Sequence, residues 1–352
     1  MVLMKRQLTL AAFCAVFALG GFCLGGCVAN DVPTAADPVD ERPSASEVQT
    51  GTSSQPPQEA DVPTSESPQV LPRFNLEGTI EPTVLLDSDD LAIEAKSLEY
   101  RNDVAYLALS ITNKTDGDID VMTSTVGYSA NYVNGCMLVQ GSLSSQVPAH
   151  ETVDEEVLYS LPELQLYGIQ GIGELGLGVR VVDGELNELF KDIVEIKTSL
   201  SGDPDVDAGT FAGYVENPAI AQALGYEIKA ASSISQGLEG TGFEATSAYL
   251  VTNKVGEVAV MVEFQNSSAE TMEVLTSDIT IDGVMAHEGL WTGDAVIAGK
   301  RFVVDDLRLS SMVEEGSENF DLAQIKDISM SVSAVDGNGN TLFAGAAVTL
   351  TF

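Results

Sequence analysis

Cysteine, histidine and positive charge are what this chain has least of. Among 352 residues there are four Cys, two His and 16 Lys or Arg, against 53 Asp or Glu. Cys14, Cys23 and Cys27 all lie near the start, so Cys136 is the only thiol in the rest of the chain. No intramolecular disulfide and no thiolate metal cluster can form there, and stability must come from packed cores. His150 and His287 are the whole histidine inventory, and neither is spaced for a Ser-His-Asp or Cys-His arrangement. The shortage of Lys and Arg excludes the phosphate-neutralising surface that nucleic-acid binding needs. Residues 1–26 hold two basic side chains and no acid, which leaves 14 Lys or Arg against 53 Asp or Glu beyond them, a net charge of −39. Such a surface is repelled by anionic lipid heads and stays soluble when exposed.

What the chain does have begins at its N-terminus. Lys5 and Arg6 precede an uncharged apolar run from Leu8 to Leu24, followed by Gly25, Gly26 and Cys27. A positive start, a short apolar segment and small residues before a cleavage point make a secretory signal. At about 17 residues the run is at the lower limit for a spanning helix. Leu24-Gly25-Gly26-Cys27 resembles the lipobox of bacterial lipoproteins, which implies lipid attachment at Cys27 and residence on the outer face of the cell membrane. From residue 27 to 73 Pro, Ser, Thr, Glu and Gln dominate, with no aromatic residue before Phe74. That composition predicts a disordered acidic stalk with a reach of about 35–40 Å.

Beyond the stalk the sequence repeats. Val182-Asp183-Gly184-Glu185-Leu186-Asn187-Glu188-Leu189-Phe190 returns as Val335-Asp336-Gly337-Asn338-Gly339-Asn340-Thr341-Leu342-Phe343. In the same register Leu175, Leu177 and Val179 meet Ile328, Met330 and Val332, and Asn113 meets Asn266. After a length difference of roughly five residues, Val133-Asn134-Gly135-Cys136 meets Ile281-Asp282-Gly283-Val284. Apolar residues alternate at period two in both copies, as half-buried strands require. Asn134-Gly135, Asp282-Gly283, Asp183-Gly184 and Asp336-Gly337 read as tight turns in which Gly takes positive φ. Seven or eight strands are expected per copy. Asn217-Pro218, closed by Gly225, predicts one short helix, and another helical turn is expected before the matching positions Tyr167 and Phe320.

Motifs with chemical meaning are few. Gly171-x-Gly173-x-x-Gly176 matches a dinucleotide fingerprint but is followed by a strand pattern where a helix is needed. Asp203-Pro204-Asp205-Val206-Asp207 starts like a calcium loop, yet has Ala208 and Tyr214 where Gly and Glu belong, so only a loose divalent-cation site stays open. Cys136 faces Val284 in the other copy and reads as a packing position. Asn113 and Asn266 open Asn-x-Ser/Thr triplets, but a turn-forming role accounts for both. Trp291, the only Trp, and Tyr128 and Tyr132 are the candidate partner contacts. No catalytic residue, cofactor or metal is expected.

The alternating strands, the shared Asn, and the Asn/Asp-Gly hairpins make residues from about 80 onward similar to immunoglobulin-like domains found in tandem on lipoproteins of Gram-positive bacteria. The expectation is an all-β chain: a signal peptide at 1–26, a stalk at 27–73, and immunoglobulin-like β-sandwich domains at 74–200 and 201–352, the second including the connecting helix. It implies a non-catalytic binding or accessory module for a protein or a cell-wall polymer. The alternatives are a wall-acting hydrolase using a carboxylate pair, and a ligand-binding component of a transporter; the shortage of helical periodicity counts against the latter.

Overall fold

The computed structural model describes residues 73–123, 131–138, 140–206, 209–285, 292–309 and 324–352, with backbone alone for 292–295 and 305–308. In chain order come β1 (Thr83–Asp87), β2 (Leu91–Arg101), β3 (Val104–Asn113), β4 (Ile119–Thr123), β5 (Tyr132–Val133), β6 (Cys136–Met137), β7 (Leu143–Val147) and β8 (Thr152–Ser160). Helix α1 (Leu161–Leu166) leads into β9 (Glu174–Asp183) and β10 (Glu188–Lys197). A 3-10 turn at Pro204–Val206, α2 (Phe211–Tyr214) and α3 (Pro218–Leu224) then connect to a second run of strands. These are β11 (Glu227–Ala231), β12 (Ser233–Gln236), β13 (Phe243–Thr252), β14 (Val258–Asn266), β15 (Met272–Ile281), β16 (Val284–Met285), β17 (Thr292–Val296), β18 (Arg301–Arg308), β19 (Asp327–Val335) and β20 (Thr341–Thr351). The fold is all-β and sandwich-like. Among the described residues each half has ten strands, more than the expected seven or eight, because two-residue strands such as β5, β6 and β16 are too short to show a period of two.

The order β1-β2-β3-β8 in the first half matches β11-β13-β14-β18 in the second. Facing these, β10-β9-β4-β7 matches β20-β19-β15-β17. Alternation places Ala105, Leu107, Leu109 and Ile111 of β3 inside, with exposures of 2% or less. Each such Leu or Ile contributes about 1.5–3 kcal/mol by leaving water. The second half buries Val260, Val262 and Phe264 of β14 against Val274, Ile328, Met330 and Val332 in the same way.

The repeat extends to single hydrogen bonds. The buried Asn113 amide donates to Gly117 O and Val147 O, while its oxygen accepts from Thr115 N. Asn266 donates to Glu270 O and Val296 O and accepts from Ser268 N. Asp183 accepts from the backbone of Glu185 and Asn187 and from the Asn187 side chain, and Asp336 does so from Asn338 and Asn340. These turns differ from expectation in one respect. Gly184 and Gly337 do not take positive φ; Leu186 at 66° and Gly339 at 79° do. In each loop the turn closes by a hydrogen bond from Leu186 N to Asp183 O, or from Gly339 N to Asp336 O, so the left-handed position falls two residues later. Asn134-Gly135 and Asp282-Gly283 do adopt the left-handed pair expected of a two-residue hairpin, at 47° and 76° and at 48° and 76°.

The length difference lies between β4 and β5. In the second half β15 runs through the corresponding place without a break, with a register shift between Ser277 and Thr280 and Asp278 at positive φ. The helical signals were legible. Asn217 caps α3 through Ala219 N at 2.9 Å, and Gly225 closes it in the left-handed region.

Candidate functional site

The two halves meet at the β5–β6 hairpin. The Asn134 side chain fixes its turn, accepting from Gly173 N and Glu174 N and donating to Gly171 O and Val206 O. The outer edge of β6 then takes β18 of the second half in parallel, Arg301 opposite Cys136 and Phe302 opposite Met137. Arg301 N donates to Gly135 O at 3.0 Å. Among the described residues this pairing joins the β10-β9-β4-β7 sheet of the first half to the β11-β13-β14-β18 sheet of the second, making one sheet of ten strands. Alternation along the hairpin divides its side chains between cores: Val133 and Cys136 join the first, Tyr132 and Met137 the second.

Tyr132 is 1% exposed. Expected as a surface contact, it is instead a seam residue, because Gly176 opposite it on β9 leaves room for the ring. Its hydroxyl contacts Glu174 Oε1 at 2.8 Å and Glu195 Oε1 at 2.6 Å. The Lys300 ammonium sits 3.9 Å from the ring centroid and 4.0 Å from Glu174. Burial, reinforced by the two carboxylates, pushes the phenol far above its ordinary range. Next to it, Arg301 pairs with the buried Glu263 at 3.1 Å, and Thr246 Oγ1 donates to the same carboxylate at 2.8 Å. Nothing in the sequence marked Glu174, Glu195, Glu263, Lys300 or Arg301. Strand-to-strand seams between distant segments leave no local signal.

The second half has the same hairpin, with no described strand on the outer edge of β16. Asp282 Oδ1 accepts from Lys326 N and Asp327 N, as Asn134 does from Gly173 and Glu174. β16 then pairs with β15 alone among the described strands, Val284 opposite Ile281 and Met285 opposite Thr280. Val284 is 50% and Met285 59% exposed, where their counterparts Cys136 and Met137 are 0% and 1%.

Other sequence candidates fall elsewhere. Cys27, Tyr128, Trp291, His287, Asp207 and the turn expected before Phe320 lie outside the described residues. Cys136 is buried, and burial pushes its thiol up to about 11. His150 contacts Asp116 at 3.0 Å on the surface. Asp203 accepts from Asp205 N as a turn residue. Among the described residues no three His, Cys, Asp or Glu side chains gather as metal ligands. Gly171, Gly173 and Gly176 serve packing, since side chains there would strike Val206, Leu200 O and Tyr132 respectively. A cavity of about 650 Å³ lies where the described chain begins, between Arg73, Phe74, Tyr100, Arg101 and Pro162. Arg101 is taken up there by Glu156 and by the ring of Tyr106. Among the described residues no helix is long and apolar enough to cross a membrane.

No family model and no curated protein matches the chain. Among solved structures, it is similar to a protein of unknown function from Porphyromonas gingivalis W83. The identity is 11%, the TM-score 0.19, and the match covers 67% of this chain and 86% of that one.

Proposed function

We propose that the chain is an extracellular lipoprotein held at the bacterial membrane through Cys27. Its two immunoglobulin-like β-sandwich domains, raised on the acidic stalk, act as a non-catalytic binding or accessory module for a protein or cell-wall partner. One observation carries the reading. The polar side chains that recur in both halves, Asn113 and Asn266, Asp183 and Asp336, Asn134 and Asp282, are spent on the turns that build the sheets. The halves differ at a strand edge, which β18 fills at β6 and which no described strand fills at β16. A rigid sheet that presents an open edge is suited to recognition.

Crosslinking on intact cells, followed by capture of the chain, tests this reading. A discrete protein partner or a bound wall polymer is expected, with membrane partition lost in Cys27→Ala. Shortened wall glycan in the presence of purified chain would favour the carboxylate-pair hydrolase instead. The pair to mutate for that reading is Glu174 and Glu195, which close on one hydroxyl beside a cavity of about 240 Å³ lined by Glu174 and Lys300.

A further inference from the structure

We propose that the β16 edge is a strand-addition site for another protein, filled by an extended segment running parallel to β16 in which a basic pair precedes an aromatic residue. The inference rests on the binding-module reading and names its surface and its partner's chemistry.

The template is inside the molecule. At the equivalent β6 edge the occupant is Lys300-Arg301-Phe302. Lys300 covers the hairpin ring and approaches Glu174, Arg301 supplies the first N–H to the turn carbonyl, and Phe302 pairs with Met137. Three features of that acceptor edge recur at β16. The turn has the same left-handed pair, Asp282 reproduces the Asn134 clamp, and Asp327 stands where Glu174 stands. Val284 and Ile281 flank a two-residue turn and bond to each other, so the next residue, Met285, turns its N–H and C=O outward. An edge ladder with half-exposed apolar side chains is a template for a further strand.

Charge selects the occupant. Asp282 and Asp327 border the edge on a chain of strongly negative net charge, which favours a basic segment. The same reasoning disfavours a second copy of this chain. Its strand equivalent to β18 is β8, fixed by Asn113 N on Glu151 O and Asn266 N on Lys300 O. Lys300-Arg301-Phe302 there becomes Glu151-Thr152-Val153. Docking β8 on β16 would bring Glu151 to Asp327, a like-charge contact with no basic residue in the incoming Glu151-Thr152-Val153 segment to offset it.

The probe is a synthetic peptide of residues 298–304, Ala-Gly-Lys-Arg-Phe-Val-Val, titrated against the full chain by peptide NMR line broadening. The chain's own β18 holds the β6 edge intramolecularly, so of the two hairpin edges β16 is the one available in trans. We expect saturable binding with a dissociation constant on the order of 0.1–1 mM. Met285→Pro removes the outward donor at an edge position where Pro is tolerated, and should abolish binding. Met285→Lys keeps the donor but repels the basic pair, and should weaken binding at least tenfold. So should Lys300→Glu with Arg301→Glu in the peptide. Absence of binding overturns the proposal, as does binding that Met285→Pro leaves unchanged. Self-association of the chain that Met285→Pro abolishes would name a second copy as the occupant and overturn the choice made here. Cell crosslinking of the two chains separates this failure from that of the broader reading. A partner captured equally by wild type and Met285→Pro sinks the edge and keeps the module; a partner captured by neither sinks both.

Discussion

Gly176→Ala should be among the most damaging single-methyl additions in this protein. A β-carbon at Gly176 would lie 2.0 Å from Cε1, 2.4 Å from Cδ1 and 2.6 Å from Cζ of Tyr132. The backbone there is ordinary, so the cost is steric. The ring has little room to retreat, because its hydroxyl is tied to Glu174 and Glu195 and the Lys300 ammonium lies on it. Overpacking a core costs about 1–3 kcal/mol, and each hydrogen bond to a charged group contributes about 1.5–3 kcal/mol. The single phenol proton can serve only one of the two carboxylates at a time, so displacing the ring stretches one such bond on top of the overpacking. The expected loss is about 3–5 kcal/mol, read from urea unfolding followed by circular dichroism. A double-mutant cycle isolates the cause. On a Tyr132→Ala background, itself costly, Gly176→Ala should cost about 1 kcal/mol or less. An equal cost on both backgrounds, or a cost below about 1 kcal/mol in the parent, would refute the account of the seam.

Arg301→Met strips the buried Glu263 of its ion partner and should destabilise by about 3 kcal/mol in urea, with Glu263→Gln recovering part of the loss in the double variant. Burial raises Tyr100, Tyr132, Tyr159, Tyr226 and Tyr249 above their ordinary value of 10.0. A raised folded pKa gives stability that is whole below pH 10 and is lost as pH climbs further. Absorbance at 295 nm should therefore show these phenols ionising together with alkaline unfolding, and independent early titration would contradict it. Cys136, buried with its thiol pushed up to about 11, should react with a thiol reagent at least about a hundredfold faster in denaturant than in the native state. Hydrogen bonds from Asn187 and Asn340 hold the Asp183 and Asp336 carboxyls below their ordinary 3.8, so NMR titration should find both ionised until the pH falls below that value.

The repeat was legible in the sequence because its markers are local. Asn113 and Asn266, or Asp183 and Asp336, each organise a turn within four residues, so the same letters recur wherever the same bonds do. Alternating β3 and β14 announced themselves through period two, and α3 through its cap and closing Gly. The seam was illegible for the complementary reason. β6 and β18 are far apart in the chain, meet over two residues, and are held by Lys300 and Arg301, whose sequence neighbourhood looks like any solvated turn. Tyr132 resembled an exposed aromatic because only the tertiary fold brings Gly176 opposite it. The Gly171, Gly173 and Gly176 run likewise owes its spacing to three separate packing contacts.

The most direct test places a photo-crosslinking amino acid at position 285 of the full chain and irradiates intact cells. The account predicts one discrete protein adduct, reduced by an excess of the residue 298–304 peptide. No adduct at 285, together with capture of a partner through another surface or release of shortened wall glycan, would contradict it.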